Sequence, residues 1–186
     1  DSKVKGLKVG AEAYIEKPFS YDYLKAQILS LLNNRQKERE AFSKRPFFPV
    51  QNMQMSKEDE VFMNKVIEVI NANMEDETFN VERMAEALCL SRSSLLRKIK
   101  TLFNMSPIDF IRLIRLKKAA ELIQDGKYRV GEISYMVGFG SHSYFSKLFF
   151  KQFGMTPKDF EQQIASTRSK VRNVQEINIE DLIQNN

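Results

Sequence analysis

Two stretches fifty residues apart, SRSSLLRKIKTLFNMSPIDF at 91–110 and SHSYFSKLFFKQFGMTPKDF at 141–160, decide how this chain is read. Aligning residue i with i+50 pairs Ser91 with Ser141, Ser93 with Ser143, Phe103 with Phe153, Met105 with Met155, Pro107 with Pro157, Asp109 with Asp159 and Phe110 with Phe160. Upstream the register changes to 49, pairing Met84 with Ile133, Ala85 with Ser134 and Leu88 with Val137. The extra residue of the second copy falls in a turn, where Leu88-Cys89-Leu90-Ser91 corresponds to Val137-Gly138-Phe139-Gly140-Ser141. Glycine suits a tight turn between helices because it adopts positive φ at no steric cost. The chain therefore spells helix, short turn, helix, and spells it twice.

Helical geometry separates the faces of each second helix. With about 100° per residue, Leu95, Ile99 and Leu102 fall within about 60° of one another, while Arg92, Ser93, Leu96, Arg97 and Lys100 spread over another ~140°. In the second copy Phe145, Leu148 and Phe149 face inward, leaving His142, Ser143, Ser146, Lys147 and Phe150 at the matching outer positions. Arginine and lysine can grip guanine O6 and N7, serine donates or accepts, and an apolar tip can meet a thymine methyl. Such a face suits a major groove. Leu96 is expected to make apolar contact and Phe150 to be partly buried.

Ser106-Pro107-Ile108-Asp109 supplies an N-cap serine, a proline at the first helical position and an acid at the third, so a helix should start there and run to about Gln124, before Asp125-Gly126. Thr156-Pro157-Lys158-Asp159 starts a last helix in the same way. Phe110, Ile111, Leu113, Ile114 and Leu122 could bury against both units and make the joining helix a strut. A separation of about 34 Å would let one chain occupy adjacent major grooves of double-stranded DNA.

Charge distribution agrees with a polyanionic partner. The net charge of +5 is mild. Residues 57–82, however, hold eight acidic side chains against two lysines, whereas residues 83–118 hold nine basic side chains against Glu86 and Asp109. That step gives the fold one basic side. No apolar run approaches the ~20 residues of a membrane span, and the lysine-rich start lacks the apolar core of a secretion signal, so a cytoplasmic chain with no membrane contact is expected. Cys89, the single cysteine, is expected to be a small apolar filler. One histidine, one cysteine and no phosphate-loop, zinc-protease or nucleophile-elbow pattern leave no catalytic constellation, no metal site and no cofactor to assign.

The flanks read more plainly. Residues 1–40 offer a β-prone segment, Ala13 to Ile15, and a helix from about Ser20 with the stripe Leu24, Ile28, Leu31 and Leu32. Pro46 and Pro49 make 41–56 an extended linker whose Phe47 and Phe48 should pack. Residues 57–165 hold the repeated helices, and 166–186 form a polar tail with a marginal helix near Ile177 to Ile183.

Ile133-Ser134-Tyr135-Met136-Val137-Gly138-Phe139, Ser143-Tyr144-Phe145-Ser146-Lys147-Leu148-Phe149 and Phe153-Gly154-Met155-Thr156-Pro157 make residues 57–165 resemble the DNA-binding domain of AraC/XylS-type transcription regulators. The resemblance implies base contacts from Arg92, Ser93, Leu96 and Arg97 in the first unit and from His142, Ser143, Ser146 and Lys147 in the second. The family usually has a basic residue where Phe150 stands, and often arginine in place of Lys147. Residues Gly10 to Phe19 resemble the last strand and turn of a response-regulator receiver domain. There the resemblance assigns Lys17 to the phosphorylated aspartate, Tyr14 to the switch, and a frequently cis peptide to Pro18. These residues hold neither the acidic metal pocket nor the phosphoacceptor of a receiver, so phosphorelay is expected of a parent protein, a response regulator or a hybrid sensor kinase.

The expected fold is mainly α, with two helix-turn-helix subdomains, a linker helix and an N-terminal β-α remnant. The expected function is sequence-specific DNA binding as the output of two-component signalling. RNA polymerase and a second copy of the chain, paired through the N-terminal helix, are further candidate partners. The rival reading is a helical protein-interaction module using that helix and the linker.

Overall fold

The computed structural model describes residues 17–168. The β-prone segment Ala13 to Ile15, Tyr14 and the marginal helix near Ile177 to Ile183 lie outside the described residues. Those described form helices and connecting turns with no strand among them. In order they are α1 (Tyr21–Lys44), a 3-10 turn (Val50–Asn52), α2 (Lys57–Ala72), α3 (Val81–Ala87), α4 (Arg92–Phe103), α5 (Pro107–Asp125), α6 (Val130–Met136) and α7 (His142–Phe153). A further helix, α8, occupies 157–168.

The chain folds as two compact units. The first takes residues up to Asn73 together with Phe79–Ile114, and the second takes Met74–Thr78 together with the residues from Arg115 on. Helix α5 thus starts in one unit and ends in the other.

The first unit is built around α2, α3 and α4. Met63, Val66 and Ile70 of α2, Met84 and Ala85 of α3, and Leu95, Ile99 and Phe103 of α4 are buried. The residues at one-turn spacing therefore form the inner stripe, as helical periodicity requires. Ser56, Asn80 and Ser91 cap α2, α3 and α4, their side-chain oxygens accepting the backbone N–H of Asp59, Arg83 and Ser94. Each cap satisfies one of the donors a helix start leaves open.

Helix α1 continues through Lys44, four residues into the segment read from sequence as linker. Phe42 explains the extension. Its ring is 1% exposed and packs 5.1 Å from Phe103 and 6.1 Å from Phe110. The phenylalanines expected to pack the linker do less than this: Phe47 is exposed and Phe48 half-buried, while Val50 is the buried member of that stretch. Of the expected stripe of α1, Ile28 and Leu32 are exposed and Leu24 and Leu31 half-buried, whereas the last turns of the helix belong to the core of the first unit.

The second unit repeats the design with an aromatic core. Phe139, Phe145, Phe149 and Phe160 pack with Leu116, Ala119, Ala120, Ile123, Ile133 and Val137, and Met74 and Leu122 flank them. Phe145 and Phe149 lie 5.7 Å apart, and Phe149 and Phe160 5.6 Å apart with edge-to-face rings, the geometry aromatic quadrupoles favour. Thr156 starts α8 as the sequence predicts, its hydroxyl donating to Asp159 Oδ2 at 2.6 Å and accepting the Asp159 N–H at 3.2 Å. Ser106 and Asp109 do the same at the start of α5, with equal distances.

Helix α5 departs from an amphipathic strut, because it is buried nearly all round. Phe110, Ile111, Leu113 and Ile114 are buried in its first half and Leu116, Ala119, Ala120 and Ile123 in its second. Arg115 and Lys117 are buried as well. Both were counted with the basic face on sequence, and neither belongs there. The Arg115 guanidinium donates to the carbonyl oxygens of Gly138 at 3.0 Å and Asp76 at 2.6 Å, which makes it an internal brace of the second unit.

Candidate nucleic-acid interface

Helix α4 turns one face inward and leaves the rest open. Leu95 and Ile99 are fully buried and Leu102 is half-buried, while Arg92, Ser93, Leu96, Arg97 and Lys100 are all exposed. Leu96, an apolar side chain with 48% of its surface open, stands out among charged and polar neighbours. The N-terminus of α4 is fixed by Ser91, whose Oγ accepts from Ser94 N–H and also lies 3.1 Å from the Ser93 hydroxyl. At its other end Asn104 adopts the left-handed conformation, φ 56°, and its N–H donates to the Lys100 carbonyl. Asparagine tolerates that region better than most residues other than glycine.

Two cations of this helix are engaged within the first unit. Arg92 Nε lies 3.1 Å from Glu82 Oε1, both side chains being largely exposed. Lys98, outside the predicted set, lies 3.7 Å from Asp59 and sits over the Phe62 ring at 4.3 Å. The negative charge of 57–82 is therefore tied in part to the basic helix, a pairing that net-charge counting leaves out.

Helix α7 repeats the arrangement. Phe145 and Phe149 are buried, His142, Ser143 and Lys147 are exposed, and Ser146 is half-buried. Ser141 caps the helix through the Tyr144 N–H, and Gly154, at φ 78°, ends it with its N–H on the Phe150 carbonyl. The structure corrects one expectation here: Phe150 is 55% exposed rather than partly buried. It stands three residues after Lys147, at the repeat position of Lys100, so its ring shares the outer face. Leu148, Phe149 and Phe153 fill the volume inside.

The turns leading into the two helices share an unusual backbone. Gly138 has φ 74°, and Cys89, its partner in the repeat, has φ 54°. Cys89 is exposed, not the apolar filler expected of it, and it serves as the left-handed turn residue. An added Cβ at Gly138 would lie 2.7 Å from Arg115 Cζ. The missing side chain is what lets the brace approach the turn that precedes α7.

These outer faces carry polar and cationic groups, each on its own unit. The described residues contain no group of three or more His, Cys, Asp or Glu side chains able to hold a metal, and no helix among them is long and apolar enough to cross a membrane. Of the receiver-like residues, Lys17 and Pro18 are exposed and joined by a cis peptide.

Residues 84–163 match the family model of a helix-turn-helix domain. A crystallised transcriptional regulator from Chromobacterium violaceum, of the AraC-type DNA-binding domain-containing proteins, shares the fold with a TM-score of 0.54 at 24% identity, over 59% of this chain and 97% of its own. The chain carries a helix-turn-helix domain over residues 84–163. The HTH-type transcriptional regulator MtrA of Neisseria gonorrhoeae is 32% identical over 101 residues, covering 54% of this chain and 33% of MtrA. A protein named Histidine kinase P4 from Formosa agariphila is 37% identical over 161 residues, which is 87% of this chain and 12% of that protein. The chain thus spans a small part of the curated relatives it matches. Within the matched residues, α4 and α7 are the second helices of the two copies of the repeat.

Proposed function

We propose that residues 57–165 form an AraC-type domain that reads DNA with the outer faces of α4 and α7 and is the output end of a two-component regulator. Arg92, Ser93, Leu96, Arg97 and Lys100 contact one half-site, and His142, Ser143, Ser146 and Lys147 contact the next, in successive major grooves. The observation that carries this is the repeated design of two capped helices, each with a buried aliphatic or aromatic stripe and an outer face of polar and cationic side chains. An exposed arginine or lysine there has little structural task, whereas in a groove it finds guanine acceptors. The receiver-like Lys17-Pro18 turn and the similarity to a protein named as a histidine kinase support the two-component assignment. A second copy of the chain is the partner this reading gives to the exposed Ile28, Leu29 and Leu32 of α1.

Selection of duplexes from a random pool, followed by gel-shift titration of Arg97→Ala and Lys147→Ala, tests the reading. Each variant should lose about 1 to 3 kcal/mol, and each should relax preference at one half-site only. Moving the two half-sites apart by half a helical turn should abolish joint binding, because the second helix would then meet the wrong side of the duplex. Unchanged affinity in both variants overturns the DNA-contact assignment.

A further inference from the structure

The C-terminal end of α4 is held from outside the repeated motif. Arg39, on α1, donates from Nε to the Leu102 carbonyl at 2.8 Å and from a terminal nitrogen to the Thr101 carbonyl at 2.7 Å. The last four carbonyls of a helix have no donor within it, and a guanidinium is suited to them because its fork spans two acceptors and its charge opposes the negative end of the helix dipole. Asn104 takes one of the four, at Lys100, and Arg39 takes the next two. Two further contacts fix α1 in place. Phe42, one turn beyond Arg39, is buried against Phe103 and Phe110, and Glu38 accepts the Gln54 backbone N–H at 2.9 Å.

Thr101 lies one turn after Arg97, in the same column of the helix, and Lys100 directly precedes it. The grip therefore falls on the turn that carries Lys100 and follows Arg97, the last two cations of the outer face of α4. We propose that Arg39 is a positioning residue for DNA reading by the first unit, and that the last turns of α1 belong functionally to that unit. Displacing them frees the α4 terminus and withdraws base contacts without touching DNA. The proposal rests on the assignment of α4 to a groove. Groups that contact bases must be held within fractions of an ångström to hydrogen-bond well, so loosening one helix end weakens binding at that half-site first.

The test uses the full chain with Arg39→Ala and Arg39→Lys, on a duplex whose half-sites have been assigned by Arg97→Ala and Lys147→Ala. Arg39→Ala should bind about 5-fold to 30-fold more weakly, the cost of one or two charge-assisted hydrogen bonds. Guanine N7 protection should fall at the Arg97 half-site and persist at the Lys147 half-site. Amide exchange should accelerate over residues 100–104. The slope of log affinity against log salt should not change, since no phosphate contact is lost. Arg97→Ala should cost less in the Arg39→Ala background than alone, the non-additivity expected of coupled residues. Arg39→Lys, which keeps the charge and loses the fork, should fall between parent and Arg39→Ala, and it serves as the readout if Arg39→Ala fails to fold. Equal losses at both half-sites, strict additivity with Arg97→Ala or a salt slope shallower by about one overturn the proposal while leaving DNA reading intact. Loss of any effect from Arg97→Ala and Lys147→Ala themselves removes DNA reading, and the proposal with it.

Discussion

The Arg115 guanidinium donates to the Gly138 carbonyl at 3.0 Å, and the same glycine is the residue whose missing side chain makes room for it. A Cβ at position 138 would fall 2.7 Å from Arg115 Cζ, and the backbone there has φ 74°, a region L-residues disfavour by about 1 to 2 kcal/mol. Gly138→Ala combines that conformational cost with collisions against the Met74 backbone carbonyl oxygen and the buried Arg115 guanidinium. It should lower stability by about 2 to 4 kcal/mol in urea unfolding followed by circular dichroism. Cys89→Gly at the corresponding turn of the first unit relieves a φ of 54° and should leave stability within about 1 kcal/mol of the parent. Equal losses in the two variants would show that the turns are not governed by backbone conformation.

The same pair marks what the sequence could and could not disclose. The helix starts at Ser106-Pro107 and Thr156-Pro157 are local signals. Each rests on residues within one turn of another, and each helix begins where they place it. Arg115, Lys117, Cys89 and Phe150 were misjudged because their environments depend on residues distant in the chain. Arg115 is buried by groups at 76 and 138, and Phe150 is exposed because Leu148, Phe149 and Phe153 already fill the space inside. The continuation of α1 past residue 40 has the same origin, since it depends on Phe42 meeting Phe103 and Phe110. Charge counts along the chain likewise give no sign that Arg92 and Lys98 are partnered by Glu82 and Asp59.

Lys117 should give the domain a distinctive alkaline stability profile. Burial lowers its pKa from 10.5 to about 8, with Glu121 opposing the shift. Between those values the folded chain has released the proton and the unfolded chain still binds it, so stability rises with pH across that window. At pH 7 the ammonium is charged in both states and its burial costs stability. Lys117→Met should therefore be more stable than the parent at pH 7, by about 1 to 3 kcal/mol, and the advantage should shrink as pH rises from about 8 toward 10.5. Parallel unfolding curves for the two proteins across that range would show that the lysine is solvated.

If α4 reads DNA as proposed, Glu82 should compete with DNA for Arg92. The pair is 3.1 Å apart with both side chains largely exposed, so its own contribution to stability is small. A carboxylate beside a base-reading arginine nevertheless repels phosphate and must be separated from its partner on binding. Glu82→Gln should tighten binding about 2-fold to 5-fold at low salt, with the gain fading as the Debye length shortens, and thermal stability should change little. Weaker binding would mean that Glu82 orients Arg92 for its contact and does not compete for it.

Phe150 sets the two reading helices apart chemically. It occupies the repeat position of Lys100 and is 55% exposed on the same outer face as Lys147, so the second helix presents a ring where the first presents an ammonium. A ring cannot neutralise phosphate, but it can lie against a thymine methyl or a sugar. Phe150→Lys should add a cationic contact, steepening the dependence of log affinity on log salt by about 0.9 and tightening binding at low salt. It should also lower discrimination at the second half-site, because a phosphate contact carries no sequence information. Phe150→Ala should weaken binding with no change of slope, and replacing thymine by uracil within the second half-site should penalise the parent more than this variant. An unchanged slope in Phe150→Lys would place position 150 beyond reach of the backbone. Equal uracil penalties in parent and Phe150→Ala would remove the ring from the list of base contacts.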